Sequence, residues 1–128
     1  MRILQPPGWP RPKGYANGIE AQGRLVFTAG LVGWDEEGRF PEGMVAQLRQ
    51  ALLNIVAVLA EAGATPTHIV RMTWYITDKR QYLAAGRELG VVYREIIGKH
   101  FPAMAVVEVT ALMEDAALLE IETIAVVP

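Results

Sequence analysis

Cysteine is absent from the 128-residue chain. That excludes disulfides, zinc-thiolate sites, iron–sulfur clusters and a thiol nucleophile, and is compatible with a reducing compartment. Histidine is scarce: His68 and His100 are the only two. Neither has a second histidine or a carboxylate at ligand spacing, so no metal site is expected. Cationic excess is missing as well, with 12 Lys+Arg against 14 Asp+Glu and a net charge of -2. Without a basic block to gather phosphates, nucleic acid is not an expected partner. The opening run Met1–Gly8 lacks the apolar core of a secretion signal, and no later segment reads as a membrane span. The expectation is a cytoplasmic protein with no membrane partner.

Hydrophobic residues make up 52% of the chain and charged residues 20%, enough apolar surface to offset the entropy of ordering one compact domain. Pro6, Pro7, Pro10 and Pro12, with Gly8 and Gly14, mark residues 1–13 as an arm preceding a single domain, 14–128. Tyr15–Ala21 and Arg24–Gly30 flank Gln22-Gly23, which suits a hairpin. Gly33–Gly43 is a turn-rich loop carrying Trp34. From Met44 to Ala62, Val45, Leu48, Leu52, Ile55, Val56 and Leu59 share one helical face, opposite Gln47, Arg49, Gln50 and Asn54, and Gly63 stops the helix. His68–Thr77 is β-branched and aromatic, hence a strand. Asp78 with Gln81 caps a second helix carrying Tyr82, Gly86, Leu89, Tyr93 and Ile96, closed by Gly98. Ala103–Val109 and Ala117–Val127 complete the order ββαβαββ. The economical architecture is α+β: one mixed β-sheet with two helices on one face. Its other face carries apolar residues that two helices cannot cover, which implies homo-oligomerisation.

Gly14-Tyr15, Arg24-Leu25-Val26-Phe27-Thr28-Ala29-Gly30, Glu61-Ala62-Gly63, Val70–Asp78, Phe101-Pro102-Ala103, Val107-Glu108-Val109 and Leu119-Glu120-Ile121-Glu122 run in one register along the chain. This string resembles the Rid family, the reactive intermediate deaminases. The resemblance implies a chorismate-mutase-like fold, a homotrimer and small-molecule clefts between subunits. It also implies hydrolysis of enamines or imines to ketones and ammonia without a cofactor. Tyr15 and Glu120 match the family's catalytic positions. Met104 stands where catalytic members carry the arginine that grips a substrate carboxylate, Ala29 where they carry a serine, and Gly90 where they carry an asparagine. With Gly30 and the loop residue Trp34, these form the candidate substrate-binding set.

The chemistry of these residue types sharpens the expectation. A guanidinium offers two aligned donors and a permanent charge to a carboxylate, and a thioether offers neither, so Met104 removes the basis for preferring short 2-imino acids. Imine hydrolysis needs water delivered to an electrophilic carbon and a group that shuttles protons. A half-buried Glu120 can do this with Tyr15 orienting the water. Equally, Glu120 and Glu122, two apart on a strand, can line a polar seam. Trp34 either walls an apolar pocket with Met104 or simply packs, whereas Trp74, inside a strand, is expected to pack. Arg11, Lys13 and Arg71 are cations without an assigned role, and His68 and His100 sit at element ends. The expected function is an enamine or imine hydrolase whose substrate is not the usual 2-imino acid. The alternative is a catalytically silent trimer that binds a small metabolite or a protein partner in the same cleft. RNA cleavage, attributed to some members of the family, is opposed by the acidic balance.

Overall fold

The computed structural model describes residues 1–128. Its central element is β5 (Ile69–Ile76), the β-branched and aromatic run, which is paired on both sides: parallel to β6 (Ala103–Glu108) and antiparallel to β7 (Leu119–Val127). On its other edge β7 takes β3 (Arg24–Phe27), giving the order β3-β7-β5-β6, and β4 (Leu31–Val32) also pairs with β7. Along β5 the side chains alternate as pleating requires: Met72, Trp74 and Ile76 are buried, while Arg71, Thr73 and Tyr75 are not.

Helix α1 (Met44–Glu61) covers the buried face. Its Leu48, Leu52, Ile55 and Leu59 are wholly buried in one core with Leu119, Ile121 and Ala125 of β7. The helix is, by length and composition alone, long and apolar enough to cross a membrane, which the sequence did not lead one to expect. Its apolar stripe, however, is already occupied by the sheet. Gly63, at φ +70°, takes the left-handed conformation that ends it.

Where two helices are expected there are three, because the second breaks at Ala85 into α2 (Lys79–Ala84) and α3 (Gly86–Ile96). The Asp78 carboxylate caps α2 by accepting from the Gln81 N–H at 3.0 Å, and Gly86, a weak helix former, lies at the break. The expected hairpin around Gln22-Gly23 does not form. Instead β2 (Ile19–Glu20) pairs with β1 (Arg2–Ile3) in a separate two-stranded sheet, and Arg24–Phe27 pairs with the far end of β7. The nine-residue β7 offers β3 a long partner, and Gly23 packs on its end, where an added Cβ would fall 2.7 Å from the Val127 carbonyl carbon. The proline-rich arm is therefore tied down: the Leu4 N–H donates to the Gly18 carbonyl at 2.9 Å, and the Asn17 amide donates to Gln5 Oε1 at 3.0 Å.

Two residues assigned to the polar face of α1 work inward. Gln47 is 3% exposed; its amide donates to the carbonyls of Pro41 and Ala116 and accepts from the Leu118 N–H at 2.8 Å. Asn54 donates to the carbonyls of Val32 and Trp34. Both clamp loops that have no regular ladder to satisfy their backbone.

Three tyrosines set an alkaline limit. Burial raises the pKa of Tyr93 strongly and that of Tyr82 less, while Tyr75 is raised first by the hydrogen bond it donates to Glu122. A raised phenol contributes its stability in full below the unfolded pKa of about 10 and loses it as pH climbs toward the folded value. Urea midpoints should hold from neutral pH to about 10 and fall above it, together with the rise of phenolate absorbance. An undiminished midpoint through the phenolate transition would contradict this assignment.

Candidate functional site

A cleft of ≈ 500 Å³ opens between α3, the start of β6 and residues 13–15. Its wall is aromatic. Trp74 meets Tyr82 edge-on at 6.4 Å between ring centroids and Tyr93 at 6.2 Å, and Tyr93 stacks on Phe101 at 5.7 Å. Met104 and Val106 enter from β6, and Gly86, Gly90 and Arg94 from the α3 side. Tyr15 reaches the rim because Ala16 bridges to Ala103 and donates its N–H to the Pro102 carbonyl at 2.9 Å, which docks residues 14–16 on the outer edge of β6. Thus Tyr15, Met104 and Gly90 are brought together. Tyr82, Gly86, Leu89 and Tyr93, placed at helical spacing by the sequence, line the cleft, and Leu89 and Tyr93 also belong to the core. Two glycines one turn apart explain the space: a Cβ at Gly86 would meet nothing within 4 Å, and one at Gly90 only Arg94 Nη1 at 3.3 Å.

Glu120 is elsewhere. In the strand register Met104 lies opposite Met72 and Glu120 opposite Tyr75. Met72 and Tyr75 are an odd number of residues apart, so Met104 and Glu120 belong to opposite faces of the sheet. On that outer face Glu120 is half-buried, Glu122 is exposed, and the Tyr75 hydroxyl donates to Glu122 Oε1 at 2.7 Å. Gly30 abuts Glu120: an added Cβ would overlap the carboxylate, lying 2.9 Å from Cδ. Glycine here leaves room for the acid, and Ala29 precedes it in an exposed segment held by Thr28, whose hydroxyl donates to the Ala29 carbonyl and accepts from the Thr123 N–H. One chain therefore holds two separate groups, Tyr15–Met104–Gly90 and Ala29–Gly30–Glu120.

Trp34 joins neither group within the chain. It packs at 5.7 Å from Phe40, over a shallow hollow with Asp35, Glu36 and Asn54. Trp74 packs as expected, yet also lines the cleft, and its buried Nε1 has no partner. Both histidines serve the backbone: His68 Nδ1 accepts from the Thr65 N–H at 2.9 Å, and His100 Nε2 lies 2.7 Å from the Ile69 carbonyl. Of the three unassigned cations, only Lys13 reaches the cleft.

Residues 10–127 match the family described as endoribonuclease L-PSP. The chain belongs to the Rid/YjgF family. A RutC family protein of Haemophilus influenzae is 38% identical over 105 residues, 81% of this chain and 80% of its own length. The Rid-family protein YyfB from Yersinia pestis superposes with a TM-score of 0.85 at 31% identity, covering 98% of both chains. Escherichia coli TdcF, crystallised with bound serine, gives a TM-score of 0.71 at 30% identity over the whole of both chains. The α+β fold with its mixed sheet and three helices is thus the Rid/YjgF fold. Among the cleft residues not nominated from the sequence, which include Tyr93, Phe101 and Val106, Arg94 is the charged one. Its only signal there is its position, four residues after Gly90 and so on the same helical face.

Proposed function

We propose that this Rid-family protein is a cofactor-independent deaminase that hydrolyses an imine or its enamine tautomer to a carbonyl compound and ammonia. The relative TdcF is named as a candidate reactive intermediate deaminase. The observation that carries the reading for this chain is the pairing of a preformed aromatic cleft bearing Tyr15 with a half-buried Glu120 for which Gly30 leaves space.

The separation of the two groups on opposite sheet faces has a direct consequence. No single chain can present Glu120 and Tyr15 to one substrate, so the working site is completed between subunits. The outer face supports such an assembly: Leu25 and Phe27, each 63% exposed, lie on the same sheet face as Tyr75, Glu120 and Glu122. A homotrimer is the assembly we infer, its outer faces turned toward one another and each cleft facing a neighbour's Glu120.

In the reaction, Glu120 takes a proton from water as the water oxygen bonds to the imine carbon and passes it to the nitrogen, giving the carbinolamine. Glu120 then takes the hydroxyl proton and delivers it to the amine as the C–N bond breaks and the carbonyl forms, so Glu120 ends ionised, one water is consumed and one ammonia released. Tyr15 positions the water or the nascent carbonyl. Met104 supports a substrate other than the short 2-imino acids, with an apolar or flat body that suits Trp74, Tyr93 and Phe101. Ammonia release from imines generated in situ, short aliphatic against aromatic, tests this. Turnover of the aromatic set above the aliphatic set is expected, and no ammonia above the uncatalysed rate from either would refute the deaminase.

A further inference from the structure

The cleft has an unusual charge balance for a chain of net charge -2. Two cations, Lys13 and Arg94, line it, and no acidic side chain of the same chain does, so the neighbour's single Glu120 leaves a cationic excess. Neither takes part in an ion pair: the three present join Arg2 to Glu20, Arg39 to Glu37 and Arg49 to Glu95. The acid beside Arg94 in sequence, Glu95, is therefore already engaged by α1. Long helical side chains lean back toward the N-terminus over the residue four before them. At Arg94 that residue is Gly90, whose missing Cβ leaves the guanidinium free to lie over the cleft; a Cβ there would come within 3.3 Å of Nη1. Across the same cleft stands Met104, neutral and without a donor.

We propose that Arg94, given room by Gly90, is the specificity-determining residue of the cleft, binding the carboxylate of a ligand whose aromatic or apolar body lies on Trp74, Tyr93 and Phe101. The cation approaches from the helix side of the cleft, and the strand side, with Met104 and Val106, is left apolar. A carboxylate held from the helix side displaces the body of the ligand toward the strand and its aromatic neighbours, which selects against small aliphatic acids. Lys13, on the mobile stem of an ammonium, adds a point charge at the rim but not a planar fork. This inference rests on the deaminase reading for the identity of the cleft, although its test needs no turnover.

The probes are phenylacetate, the near-isosteric neutral phenylacetamide, and acetate, titrated calorimetrically into the full-length protein. Wild type should bind phenylacetate about tenfold or more tighter than either comparator. Arg94→Gln should abolish the preference for phenylacetate over phenylacetamide, Arg94→Lys should keep part of it, and Lys13→Gln should keep most. Arg94 is exposed, so these variants should fold, and circular dichroism checks that they do. Equal binding of acid and amide, absence of phenylacetate binding, or a preference unmoved by Arg94→Gln would each overturn the assignment. Arg94-dependent binding in a protein that releases no ammonia would refute the deaminase and leave this inference standing. Ammonia release without a carboxylate preference would do the reverse.

Discussion

Replacing Glu120 by Gln is expected to lower the rate of ammonia release by about 10²- to 10⁴-fold, the range a positioned general acid–base contributes. The substitution keeps shape and volume but removes the group that accepts a proton from water. The thermal midpoint should stay close to wild type, since no hydrogen bond within the chain depends on the Glu120 carboxylate. Gly30→Ala should move activity in the same direction by a different route: the new Cβ occupies the space of the carboxylate, so the acid is displaced with its chemistry intact. Steady-state ammonia assays on both variants check this. Full activity in Glu120→Gln would place the proton transfer on another residue and return Glu120 to the polar seam it forms with Tyr75 and Glu122.

Gln47→Ala should be clearly destabilising although it truncates a polar side chain on α1. It leaves the half-buried Leu118 N–H and Pro41 carbonyl, and the carbonyl of the exposed Ala116, without the partners they now have. Unsatisfied buried groups cost about 1–3 kcal/mol each. Water can reach the Ala116 carbonyl, so a loss of roughly 1–3 kcal/mol is expected, seen as a fall of the thermal midpoint by several degrees. The effect should reach the site, because Leu118 leads directly into the start of β7 and so to Glu120. A loss below about 1 kcal/mol would mean that the loop before β7 holds itself.

The parts of this fold that were legible in the sequence share a physical cause. β5 is a long β-branched and aromatic run, α1 carries an apolar stripe over five turns, and Asp78 is a cap with its partner N–H in place. Each is decided locally. What was not legible depends on distant partners. Arg2–Ile3 and Ile19–Glu20 are too short to show a period and exist only as each other's partner. Gln47 reads as a polar residue on the polar side of a helix until the loops that need its amide are in place. The break at Ala85 was hidden because the apolar spacing continues across it.

The site divides in the same way. Tyr15, Met104, Gly90 and Glu120 were nominated by their places in a family pattern, but no spacing along a chain says that Met104 and Glu120 face opposite sides of one sheet. That fact requires the register of β5 against both neighbours. Trp34, nominated for its loop, lies against Phe40 instead. Arg94 passed unnoticed because a basic residue in the last turn of a helix is ordinarily accounted for by the helix dipole.

We infer a site assembled from two chains, one giving the aromatic cleft with Tyr15 and the other giving Glu120. Subunit mixing tests it directly. Glu120→Gln and a Tyr15→Phe, Arg94→Gln double variant, each inactive alone in ammonia release, are dissociated, combined in equal amounts and reassembled, with light scattering to confirm the trimer. With random exchange, about one quarter of the sites join an intact cleft to an intact neighbouring Glu120, and activity should return to about that fraction of wild type. A reassembled mixture that stays as inactive as its components, or a protein that scatters as a monomer while active, would contradict a site shared between subunits.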